Sequence, residues 1–184
     1  MRHAVLLALG LLVLVGRPAL ADTPWRVTTV AACQQVGVPA SLALAVVATE
    51  SGSRPYAIRV NTGNGTAHFP ATYAAAVQTV TAVRQRTTNL DLGLFQLNYR
   101  EVQRRSAQAA QQGPWRAFWQ RLHGIAPAVL LAPAVNALVG CVMLRQALEG
   151  GGPLWQQIGR YHSPVPARQH PYAQRVFVWL DPHH

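Results

Sequence analysis

The chain has 184 residues, with 16 Lys+Arg against 6 Asp+Glu and a formal net charge of +10, and every one of those cations is an arginine. The absence of lysine excludes a phosphate-binding loop ending in Gly-Lys-Ser/Thr, Schiff-base chemistry and a lysine general base. Two cysteines, Cys33 and Cys141, are too few for a zinc ribbon or a cysteine-ligated cluster. Half of the residues are hydrophobic, enough to bury a core as a single domain.

Arg2 and His3 precede the apolar run Ala4–Val15; Arg17-Pro18 ends it, and Ala19-Leu20-Ala21 has the small-x-small pattern of a cleavage site. These features predict a signal peptide over residues 1–21, a domain over residues 22–184 and a periplasmic location. The run is shorter than the roughly 20 residues that span a bilayer, so no transmembrane anchor is expected after cleavage; the rival reading is an uncleaved anchor. Export allows Cys33 and Cys141 to form a disulfide; the alternative is a pair of buried thiols.

Helical signals follow in order. Thr23-Pro24 opens a helix that ends before Gly37, and Pro39 opens another over Ser41–Glu50 with Leu42, Ala45, Val46 and Thr49 on one face. Residues 53–70 read as a loop, with left-handed turns in Asn61-Thr62-Gly63-Asn64-Gly65. Tyr73, Ala76, Val77, Val80 and Val83 recur at helical spacing, and residues 84–91 read as a polar connection. Tyr99–Gln112 reads as an exposed helix carrying Arg100, Arg104 and Arg105, followed by the stripe Trp115, Phe118, Trp119 and Leu122, whose spacing suits core packing. Pro133–Glu149 is a strong helix stopped by Gly150-Gly151-Gly152; Trp155–Arg160 is short, and Arg168–Leu180 closes the chain with Tyr172, Val176 and Leu180 on one face. No period-two strand stands out, so the expected fold class is all-α in a single domain.

Glu50 is the one charged residue of its helix and sits at the C-terminal end. Apolar surroundings and the negative end of the helix dipole both disfavour a bare carboxylate, and a carboxyl held in its acid form is what general-acid cleavage of a glycosidic bond requires. Glu101 and Glu149 lie among arginines or at the glycine stop and read as surface ion pairs. Asp91, at the entry to Gly93-Leu94-Phe95-Gln96, either caps that turn or faces a cleft. The seven histidines show no metal-ligand spacing, and neither metal nor cofactor is expected. The charge would suit a polyanion, but the arginines are scattered and no readout motif is present, so no nucleic-acid partner is expected.

These segments together resemble the soluble lytic transglycosylases of lysozyme-like fold. Glu50-Ser51-Gly52 with Pro55-Tyr56-Ala57-Ile58 resembles their catalytic-glutamate motif, and Asp91-Leu92-Gly93-Leu94-Phe95-Gln96-Leu97-Asn98 their second motif. Asn136 with Gly140 and Leu144 resembles the third, and Gly159-Arg160-Tyr161-His162-Ser163 stands in the place of the fourth, where His162 replaces the usual Asn. Arg54 stands where many members carry an aromatic or small residue. The long insert between the first two motifs is most similar to the branch encoded with conjugation and type IV secretion machinery.

The resemblance implies a lysozyme-like helical domain with a sugar-binding groove, glycan strands of peptidoglycan as substrate, and secretion or conjugation proteins as partners. It implies that Glu50 protonates the glycosidic oxygen and then deprotonates the muramic 6-hydroxyl, giving a 1,6-anhydro product. In it Ser51 bonds near Glu50 and the leaving sugar, Gln96 donates to an N-acetyl group or orients the ring, Asn98 lines the same wall, and Tyr161 brings its hydroxyl to Glu50. Asp91 and His162 are auxiliary candidates. Each also has a structural alternative: Ser51 satisfying the helix end, Gln96 pinning its loop, Asn98 capping the helix at Tyr99, and Tyr161 packing in the core.

Overall fold

The computed structural model describes residues 24–181, so the expected signal peptide and Thr23 lie outside the described residues. Nine α-helices form among them: α1 (Trp25–Gln35), α2 (Ala40–Ser51), α3 (Tyr73–Arg84), α4 (Tyr99–Ala107), α5 (Arg116–Arg121), α6 (Pro127–Leu130), α7 (Pro133–Glu149), α8 (Leu154–His162) and α9 (Pro166–Val178). Proline marks their starts. Pro24, Pro39 and Pro153 sit just before α1, α2 and α8, and α6, α7 and α9 begin on a proline, where the missing N–H costs no helical hydrogen bond.

The molecule is organised around α7. From Pro133 to Val142 each of its residues is buried, and Leu144 follows; a helix apolar on all sides belongs inside a core. It packs against α1 and α8, α9 packs on α8 and α2, and the Trp115, Phe118, Trp119 and Leu122 stripe is buried as its spacing predicts. A disulfide joins Cys33 of α1 to Cys141 of α7, with Cα atoms 5.0 Å apart. No helix of the described residues is long and apolar enough to cross a membrane.

The all-α expectation is amended by a small antiparallel sheet. Its strands are β1 (Ile58–Val60), β2 (Thr66–His68), β3 (Leu90–Leu92) and β4 (Leu97–Asn98), in the order β2-β1-β3-β4. The predicted loop over 53–70 is therefore a hairpin, turning through Gly63 and Gly65 at positive φ, and the predicted connection over 84–91 delivers β3. In register, Ile58 faces Leu92, which faces Leu97, and all three are buried. One residue along, Ala67, Arg59, Asp91 and Asn98 form a row across the sheet. Because side chains alternate faces, this row lies on the opposite side from the buried one.

Candidate active site

Glu50 ends α2 at the point where the chain must turn sharply. Gly52 closes the helix at φ 60°, donating to the Ala48 carbonyl at 3.1 Å, and Ser53 follows in the same left-handed region at φ 63°. Gln96 is the other non-glycine residue described with positive φ, at 44°. Backbone strain of this kind persists only where surrounding structure enforces it, and it clusters at functional sites. Glu50 and Gln96 both line one cleft of about 450 Å³, with Asp91, Asn98, Tyr161 and His162. Thus every site residue named from the sequence, except Ser51 and the two cysteines, reaches this cleft; Ser51 lines a smaller pocket that shares Glu50 and Gln96.

The loop bearing Gln96 is held from behind by α7. Asn136 is fully buried; its amide donates to the carbonyls of Leu92 at 2.8 Å and Leu130 at 2.7 Å, and its carbonyl accepts from the Phe95 N–H at 2.9 Å. Gly93, at φ 71°, leaves room for that amide: a Cβ there would lie 2.3 Å from Asn136 Nδ2. A Cβ on Gly140 would lie 2.2 Å from the Phe95 ring. Asn136 and Gly140 of α7 therefore act on the loop from Gly93 to Gln96, fixing where Gln96 and Phe95 stand.

Ser51, Gln96 and Asn98 each make the structural bond that the sequence offered as an alternative. Ser51 Oγ donates to the Val47 carbonyl at 3.0 Å and satisfies its own helix. Gln96 Nε2 donates to the carbonyls of Gly93 at 2.9 Å and Ala57 at 3.3 Å. Both of its N–H groups are thereby used, so it can offer a ligand only its carbonyl oxygen and not a donor. Asn98 caps α4, its Oδ1 accepting from the Glu101 N–H at 3.1 Å, and its Nδ2 donates to Asp91 at 2.8 Å on the cleft wall. Tyr161 donates its hydroxyl to the Phe95 carbonyl at 2.8 Å, buttressing the loop, and feels the charge of Glu50 from there.

A second phenol beside Glu50 is Tyr172, buried on α9. Its Oη stands within reach of the Glu50 carboxyl without completing a hydrogen bond of full geometry. Desolvation, then the Glu50 charge, push Tyr172 well above the usual tyrosine value; desolvation and the charges of Glu50 and Asp91 do the same to Tyr161. Both phenols stay neutral. His162 stacks face to face on Tyr172, centroids 4.4 Å apart, and holds Nδ1 3.8 Å from Glu50 Oε1, whose side chain is 15% exposed. Sequence periodicity placed Tyr172 on a core stripe. The signal that it does more is its hydroxyl, which a buried aromatic normally directs at a partner.

Asp91 is raised above the usual aspartate value, first by burial and secondarily by the Glu50 charge, against hydrogen bonds from Asn61 and Asn98 and the attraction of Arg59. Arg59, directly opposite Asp91 in the strand register, lines both pockets. Sequence reasoning missed it because only the strand pairing aims it there. Among the described residues no three His, Cys, Asp or Glu side chains converge as a metal site.

No protein-family model, curated protein or solved structure matches this chain. Its own geometry therefore carries the functional reading.

Proposed function

We propose that this protein is an exported peptidoglycan lytic transglycosylase. It would cleave the β-1,4 bond between N-acetylmuramic acid and N-acetylglucosamine and leave 1,6-anhydromuramic ends, opening the wall for a conjugation or secretion apparatus. The observation that supports this most is the setting of Glu50. It is the lone charge of an apolar helix, and it lines two neighbouring pockets together with Gln96, with His162 3.8 Å away and Tyr172 beside it. The groove runs on past Tyr161 and Met143 into a further pocket of about 260 Å³, as a polymeric substrate requires.

Glu50 in its acid form donates a proton to the glycosidic oxygen as the bond to the anomeric carbon breaks. The resulting carboxylate takes the proton of the muramic 6-hydroxyl, whose oxygen closes on the anomeric carbon. Glu50 ends protonated, as it began, and no water is consumed. Phe95 and Gln96 shape the wall, while Tyr172 and His162 confine the carboxyl.

Asp91 in the same cleft favours a second reading, a hydrolytic muramidase in which it activates water or attacks the sugar. Digestion of purified peptidoglycan followed by mass spectrometry separates the two. The transglycosylase yields muropeptides one water lighter than reducing ends, and the hydrolase yields reducing ends. Glu50→Gln is expected to reduce release by at least about a hundredfold; full release by that variant would sink both enzymatic readings. A folded protein with intact Glu50 that binds peptidoglycan without cutting it would be a silent assembly protein.

A further inference from the structure

The groove extends from Glu50 away from Tyr161 and His162 into a pocket of about 220 Å³ that shares Arg59 with the main cleft and adds Arg54 and Phe69. Arg54 lies over the Phe69 ring, its guanidinium carbon 4.4 Å from the centroid. Arg59 stands in the cross-strand row with Asp91. Both arginines are exposed, and among the described residues neither is in an ion pair.

The two halves of the groove differ in charge. The main cleft carries Glu50, Asp91 and Glu101 with Arg59 and His162. The smaller pocket carries two arginines, and Glu50 is its only carboxylate. A neutral sugar ring is recognised through hydroxyl and amide partners and gains little from two guanidinium forks, whereas a planar carboxylate matches such a fork in both charge and shape. Phe69, 55% exposed beside Arg54, adds a flat apolar face for the group that bears the carboxylate.

We infer that this pocket binds a carboxylate carried by the substrate, with Arg54 and Arg59 as its paired donors. Resting on the transglycosylase reading, that group is a free carboxyl of the peptide stem attached to the muramic sugar beside the scissile bond. The enzyme then prefers stem-bearing glycan to bare glycan.

The test is a binding titration followed by NMR, in low salt, on protein carrying Glu50→Gln so that nothing is cut. The probes are N-acetylmuramyl-alanyl-glutamate with both carboxyls free, and its neutral diamide. The acid is expected to bind about tenfold tighter, the scale of a charge-assisted contact. Adding Arg54→Gln and Arg59→Gln together should bring the two probes within about twofold, with an unchanged melting temperature as the fold control, whereas Arg100→Gln on α4 should keep the difference. Equal binding of acid and diamide before the arginines are changed, or a preference that survives their removal, overturns the pocket. Digestion by protein with Glu50 intact is run alongside. Cleavage without the preference sinks the pocket alone; the preference without any cleavage sinks the transglycosylase reading and leaves a carboxylate pocket standing.

Discussion

Asp91 accepts the Asn98 amide at 2.8 Å from within a partly buried cleft, and this setting determines how it affects stability. Its folded-state value lies above the ordinary 3.8, chiefly because burial penalises the charged form. Between those two values the native state holds a proton that the unfolded chain has lost, so stability falls as pH rises through the window, and the cost is fully present at neutral pH. Asp91→Asn keeps an oxygen for the Asn98 amide and removes the charge. The variant is expected to melt above the wild type at pH 7, with the difference closing toward pH 3, and thermal unfolding at the two pH values checks it. On the transglycosylase reading the variant also keeps substantial cleavage; a hydrolase that uses Asp91 as base would lose it. Glu101 is the counterexample nearby. Burial works to raise it, but hydrogen bonds from Arg104 and Arg105 at 2.6–2.8 Å outweigh that and leave it below its ordinary range. The two carboxylates thus move in opposite directions, because Asp91 is the more deeply buried and is held mainly by amides, whereas Glu101 has arginine forks that outweigh its burial.

At the scale of elements, the informative pair is α7 and the loop between β3 and β4. Leu94 and Phe95 bury the loop's apolar side chains in the core, and Asn136 adds three buried hydrogen bonds that fix its backbone. Asn136→Ala strands the Phe95 N–H and opens a void beneath Gly93, a loss of about 3 kcal/mol by the usual worth of buried hydrogen bonds. Urea unfolding measures it, and activity should fall as well, because Gln96 and Phe95 lose their backing. Helices were the legible elements. The starts of α2 and α7 follow from Pro39 and Pro133, and the buried faces of α3 and of the Trp115–Leu122 stripe follow from residue spacing. The sheet was not legible. Its strands have two or three residues each, shorter than the four to eight over which alternation becomes a signal. They pair because the hairpin through Gly63 and Gly65 and the α3 crossover bring them together, which no local pattern records.

For the whole molecule, the disulfide is a covalent tie between distant parts of the core. Cys33 and Cys141 are separated by 108 positions and tie the first described helix to the central one. Closing so long a loop restricts the unfolded chain, and reduction or a double Cys→Ala change is expected to cost about 2–4 kcal/mol; denaturant unfolding with and without reductant reads this directly. The sequence by itself determined the helical scaffold, the placement of Glu50 at the end of an apolar helix, and a short list of partners around it. The scaffold and the placement of Glu50 follow from composition, proline and glycine punctuation and the 3.6-residue period, all local quantities; the list of partners came from the resemblance of the motifs to the lytic transglycosylases. The tertiary structure decided what each partner does: Tyr172 joins Tyr161 beside Glu50, Gln96 has spent its donors on the Gly93 and Ala57 carbonyls, and Arg59 enters the groove. Which side chain meets which depends on strand register and helix docking, set by packing between residues far apart in the chain, and a local pattern carries no record of those distances.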